Sequence, residues 1–391
     1  MISFSQNATV SNIEEALGQI QEPPNVVRVP VNLRYGGTFG ITGALAQFLA
    51  TWSRSDESAE LKLYGNAADA DATSALAQEP HGICALYFAK TLAGPTGQQL
   101  DVRQALERSV PRILAMQDEQ YRDTMGSRGV FLGCFARAKN EFLSPLYATP
   151  KRGALLSRSQ YVAMTTRAIS SISPTAAYQI GDENLAQISH LVFELFKNTD
   201  EHGMTDPGGK LYSRNVRGVL FKHIALQHHV PTVGRPASGF GAAMAFVSRV
   251  LESKRKFAGE DGKLHATAQT PFIEINVFDT GLGLAKRFSG RDQLEGISVD
   301  DEVDIVKRCF QLHETSKEGV DGGSGLTAVL QVLKHLKAFL SLRTGRVHLY
   351  QDFSSARAGT IFEPKHWNPS SKQMEEIAGA SYSIVIPASQ A

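Results

Sequence analysis

The chain has 391 residues, 42% of them hydrophobic and 20% charged, an ordinary globular composition with room for two cores. Its 40 Lys and Arg against 39 Asp and Glu leave a formal charge of +1, too little for a broad nucleic-acid surface, although local patches such as Lys254-Arg255-Lys256 keep nucleic acid in view. No run approaches the length of a membrane span, the opening Met1-Ile2-Ser3-Phe4 lacks a basic segment before an apolar one, and Cys84, Cys134 and Cys309 are too far apart in sequence for a disulfide framework. A cytoplasmic, reducing setting is therefore expected.

In chain order, residues 26–31 read as a strand, 41–52 as an amphipathic helix, 59–64 as a second strand and 75–92 as mostly helical. This alternation predicts a small α/β domain over residues 1–125, and its element order is similar to that of STAS-type regulatory domains. Gly37-x-x-Gly40-x-x-Gly43 follows the first strand, but its spacing is not that of a dinucleotide loop, so it is set aside as a cofactor site. A charged helix from residue 98 to 126, carrying Leu106, Val110, Ile113, Leu114 and Met116, leads into an expected helical connector over residues 126–179.

Next comes Glu194-Leu195-Phe196-Lys197-Asn198-Thr199-Asp200-Glu201-His202-Gly203. On a helix, Glu194 and Asn198 are one turn apart and share a face, while Leu191, Val192, Leu195 and Phe196 bury the other. A carboxylate can order or deprotonate water, and an amide oxygen can ligate a hard cation. His190, one turn earlier, reads as a packing or surface residue. His223, His228 and His229 have no Cys or carboxylate at ligand spacing and are not expected to bind metal.

Residues 272–278 alternate Ile273, Ile275 and Val277 with other side chains and run into Asp279-Thr280-Gly281-Leu282-Gly283, a strand ending in a glycine turn. His313-x-Thr315-Ser316-Lys317 precedes Asp321-Gly322-Gly323-Ser324-Gly325-Leu326, which opens an apolar-periodic helix. Glycines at a helix N-terminus leave N–H groups for an anion. Two strands turning at Thr344-Gly345 and a final strand, Tyr382 to Pro387, close the chain.

In this order the three segments resemble the ATP-binding domain shared by histidine kinases, DNA gyrase, the heat-shock chaperone and MutL-type proteins. Residues 194–202 are similar to that family's N box, 279–283 to its first glycine box and 323–326 to its second. The run from His313 to Lys317 is similar to a segment of the MutL branch. The resemblance implies a C-terminal Bergerat-type two-layer α/β sandwich with a mixed sheet over residues 180–391. The long link between the N box and Asp279 implies an insertion at about 204–270, where Phe240, Ala243, Met244, Phe246, Val247, Val250 and Leu251 have the spacing of a buried helix face.

By the same resemblance Asn198 ligates magnesium, Glu194 is the general base, and Asp279 reads adenine through its amine. Gly281 and Gly283 pass under the base, and Gly323, Ser324, Gly325 and Leu326 close on the phosphates. His202, Thr315 and Lys317 complete the ATP contacts, Lys317 being the in-chain candidate for the γ-phosphate. Residues 284–320 form a lid. The implied cofactors are ATP and Mg2+, and the expected activity is slow hydrolysis driving a lid-coupled switch. The alternatives are a kinase acting on histidine or serine of a separate partner, or an ATP-gated binding module. A protein partner is expected at the N-terminal domain, with a homodimer as an open arrangement.

Overall fold

The computed structural model describes residues 1–20, 25–33, 37–65, 69–126, 129–226, 239–257, 270–311, 325–355 and 359–388. Short strands β1 (Ile2–Ser3), β2 (Val27–Arg28), β3 (Glu60–Lys62) and β4 (Thr91–Ala93) pair in parallel in chain order, and β5 (Gln99–Leu100) joins β4 antiparallel. Parallel neighbours need crossovers, supplied by helices α1 (Val10–Gln19), α2 (Ile41–Ser55), α3 (Asp69–Leu76) and α4 (Pro80–Phe88). The stretch expected as one charged helix holds β5 followed by two short helices, α5 (Val102–Glu107) and α6 (Val110–Gln117). Two of the breaks are local: Asp101 caps α5 through the Gln104 N–H, and Pro111 lies in the first turn of α6.

The second sheet has seven strands in the order β11-β10-β9-β12-β8-β7-β6. They are β6 (Gly129–Phe135), β7 (Val216–Leu226), β8 (Thr270–Asp279), β9 (Phe339–Gly345), β10 (Val347–Asp352), β11 (Lys365–His366) and β12 (Ile377–Pro387). Every pairing in it is antiparallel, which corrects the expected mixed sheet. Two further expectations change. Residues 126–179 are not purely helical, because they hold the edge strand β6 as well as α7 (Arg158–Ile172). The region read as an insertion supplies β7, which lies between β8 and β6, and α9 (Gly239–Phe257).

On the front face α8 (Pro174–His202) crosses β7 and β8, flanked by α7 and by α12 (Gly325–His335). Its helical path is interrupted at Gly181, so Glu194 to His202 ride on the segment after that break. The front core is aliphatic and aromatic, joining Ile273, Ile275 and Val277 to Leu191, Leu195 and Phe196 of α8 and Leu330 and Leu333 of α12. α10 (Leu284–Ser289) and α11 (Val299–Cys309) lie beyond the glycine turn, and Glu302 ties α11 to the sheet by accepting from Arg346 N at 2.8 Å and Arg346 Nε at 2.9 Å.

The expected two layers become three, because the back face is covered as well. α9 sets Phe246 and Val247 against Phe272, Phe339 and Trp367, and α2 of the N-terminal unit lies on β12 and β8. α2 is apolar nearly all round and accordingly buried on most sides. Its contact with the sheet is polar. Gly40 N donates to Glu274 Oε1 (2.7 Å), Lys222 Nζ donates to Gly37 O (2.9 Å) and Thr42 Oγ1 (2.7 Å), and Gln47 Nε2 donates to Ala378 O (2.9 Å). A Cβ on Gly43 would fall 2.4 Å from Asn276 Oδ1 and from Ser381 Oγ, so the helix seats this closely only with glycine there.

Candidate functional site

α8 brings residues 194–202 to the front of β8. Its last turn is held by residues of the 126–179 stretch: Asp200 accepts from Tyr147 Oη (2.7 Å) and Gly153 N (2.9 Å), and Arg152 donates to the Asp200 and Glu201 carbonyls. Asp200 is therefore a structural member of the motif. His202 ends the helix half-buried.

Glu194 is buried, and its two oxygens meet different partners. Oε1 accepts from Arg158 Nη2 of α7 at 2.6 Å. Oε2 faces the head of α12, where a Cβ on Gly325 would lie 2.8 Å away. His190 Nδ1 is 4.0 Å from Oε1. Burial lowers the His190 pKa below the usual imidazole value, with the Glu194 carboxylate opposing and Arg158 adding to the shift. Outside this group α8 and α12 border an open cleft of about 490 Å³ lined by Gln187, His190, Gln331 and His335, which puts open space one helical turn from Glu194.

Asn198 is half-exposed and lies beside the hydroxyl of Tyr382, a fully buried residue of β12. Burial drives the Tyr382 pKa well above the phenol range, and the Asp279 carboxylate pushes the same way. Asn198 is thus the polar side chain beside this buried hydroxyl, and the charge of Asp279 is felt there.

Asp279 ends β8 with Oδ1 accepting from Gly281 N at 2.8 Å. Burial raises its pKa to about 6, against the pull of the Gly281 and Ala380 N–H groups and of the Arg217 and Arg54 guanidiniums. Three backbones close around it. A Cβ on Gly281 would fall 2.4 Å from Gly203 O, one on Gly203 would be 2.8 Å from Asp279 Cγ, and one on Gly379 would be 2.0 Å from Asp279 O. Glycine at 281 is therefore what lets the turn lie against the end of α8. Gly283 starts α10 beside Thr344, whose Oγ1 accepts from Leu284 N. From behind, exposed Arg54 of α2 stacks on Tyr212, 4.0 Å from the ring centroid, and reaches Gly281 O at 3.5 Å.

The structure thus sets Glu194 against Gly325, Asn198 beside Tyr382 and Asp279 against Gly203. Leu326 packs into the core. Thr315, Lys317, Gly323 and Ser324 lie outside the described residues. Arg158, Tyr382 and Thr344 were not anticipated. The capping box of Ser157 with Gln160 signals the start of α7 but carries no hint that Arg158 meets Glu194.

The donor set suits Mg-ATP. Asn198 offers a hard amide oxygen with the buried Tyr382 hydroxyl beside it, and Glu194, held by Arg158, stands at the head of α12. No family model, curated protein or solved structure matches the chain.

Proposed function

We propose that the chain binds Mg-ATP on the front face of the large sheet, in a Bergerat-type arrangement, and hydrolyses it slowly as a conformational switch. The observation that carries this reading is the convergence of three sequence-distant segments, with Glu194 against Gly325 and Gly203, at the end of α8, against Asp279. Asn198 would ligate the magnesium, and Asp279 would accept from the exocyclic amine of adenine. The N–H groups at the head of α12 would face the phosphates, and Glu194 would take a proton from the attacking water. Bound magnesium supplies charge neutralisation on the phosphates. Arg54 links the glycine turn to α2, a route by which the nucleotide state reaches the N-terminal unit and a partner there.

Phosphate release with Mg-ATP, measured beside a binding titration, tests this. The wild type is expected to turn over, whereas Glu194→Ala should bind within a few-fold and lose about 100-fold or more in rate. Equal turnover in both removes Glu194 as base. Binding without turnover favours the gated module, and label appearing on an added protein favours the kinase.

A further inference from the structure

We propose that Arg158 is a catalytic residue of this site, moving from Glu194 to the terminal phosphate of ATP and neutralising the charge that develops there. The inference rests on the ATP reading above and supplies the cation for which only Lys317 was a candidate from sequence.

Four observations carry it. Arg158 grips one oxygen of Glu194, at 2.6 Å, while its own side chain is 64% exposed and the carboxylate only 5%. A guanidinium with two parallel donors is suited to bidentate capture of an oxyanion, and this one is engaged on a single side. Arg158 sits in the first turn of α7, where the helix dipole disfavours a cation, and Ser157 and Gln160 already cap that helix. Its position is therefore not explained by the needs of α7. Phe193 lies under the guanidinium, 5.4 Å from ring centroid to Cζ, a surface on which it can shift without losing its support. Finally, a single carboxylate separates Arg158 from the head of α12. Glu194 occupies the anion position between a guanidinium and a helix N-terminus, and a phosphate has the charge and the breadth to take it.

In the step, the oxygen of water bonds to the γ-phosphorus. The bond from that phosphorus to the β–γ bridging oxygen breaks, and its electron pair leaves on ADP. Released from Arg158, Glu194 receives the proton of the water. Arg158 neutralises the equatorial oxygens throughout.

The test is calorimetric titration of wild type, Arg158→Ala and Arg158→Lys with Mg-ATP and with Mg-ADP, alongside single-turnover hydrolysis and melting temperature. A contact made only to the terminal phosphate predicts that Arg158→Ala loses about tenfold or more in affinity for ATP with ADP binding unchanged, because charge-assisted hydrogen bonds contribute on that scale. Turnover should fall further, and Arg158→Lys should recover part of both. An unchanged ratio of ATP to ADP affinity together with retained turnover overturns the proposal, as does an equal loss for both nucleotides. If the wild type binds neither nucleotide, the ATP reading itself fails, a result distinct from the others.

Discussion

On β8 the side chains of Ile273, Ile275 and Val277 enter a front interior of aliphatic and aromatic groups from α8 and α12, whereas Glu274 and Asn276, one residue away each, enter a back interface with α2 held by hydrogen bonds and charge. The contrast lies in what each interior specifies. Apolar burial is non-directional, so the front face gives strength without strict register. The back face is directional. Gly40 N must meet Glu274, Gly43 must oppose Asn276 and Ser381, and Ala378 N must meet Thr51 Oγ1, so α2 fits in one register only. The front face carries the candidate chemistry, and the back face fixes how the N-terminal unit sits behind it.

Substitutions at adjacent positions can break this contrast. Glu274→Ala removes the acceptor of Gly40 N and of Ser383 Oγ and the carboxylate that most raises the Lys222 pKa, so a loss of about 4 kcal/mol is expected. Ile275→Ala opens a front-face cavity and should cost about 3 kcal/mol. Both are read from denaturant unfolding. If Glu274→Ala were near neutral, the polar back interface would not be what holds α2. Gly43→Ala places a methyl against Asn276 and Ser381 and should cost about 2 kcal/mol, with no such penalty at exposed Gly18, where a Cβ meets open space.

The two faces should also differ in pH dependence, with an effect on the order of 3 kcal/mol each. Asp279, raised to about 6 from 3.8 by burial, makes the folded chain hold an extra proton between those values. Its contribution is full at low pH and is lost as pH rises through about 6. Lys222, lowered by burial to about 8 from 10.5, makes the unfolded chain hold the extra proton, so stability rises with pH between those values. Stability profiles of Asp279→Asn and Lys222→Met against wild type should each lose one window and keep the other. A single variant that erased both windows would mean the faces are not independent.

Much of this was legible in sequence where one face of an element is polar or one period dominates. The helix of Glu194 and Asn198, the strand into Asp279, α12, the β9–β10 hairpin and α2 all carry their period. β7 was not legible because Arg217 and Lys222 are buried within it, so no alternation survives, and β6 was not because Gly129–Phe135 is buried at every position. The packing role of the glycines at 40 and 43 depends on Glu274, Asn276 and Ser381, far away in sequence. The same holds for the candidate site. Glu194, Asn198 and Asp279 could be picked from motifs, while Arg158 and Tyr382 matter only through what folding places beside them.

The account stands on Asn198 and Asp279 belonging to one nucleotide site. Titration of Mg-ATP into the wild type and Asn198→Ala, with Mg-GTP as the control for adenine reading, tests it most directly. The account predicts that the wild type binds ATP in preference to GTP and that Asn198→Ala loses Mg-ATP binding while keeping its melting temperature. Undiminished ATP binding by Asn198→Ala, or no binding of either nucleotide by the wild type, would contradict it.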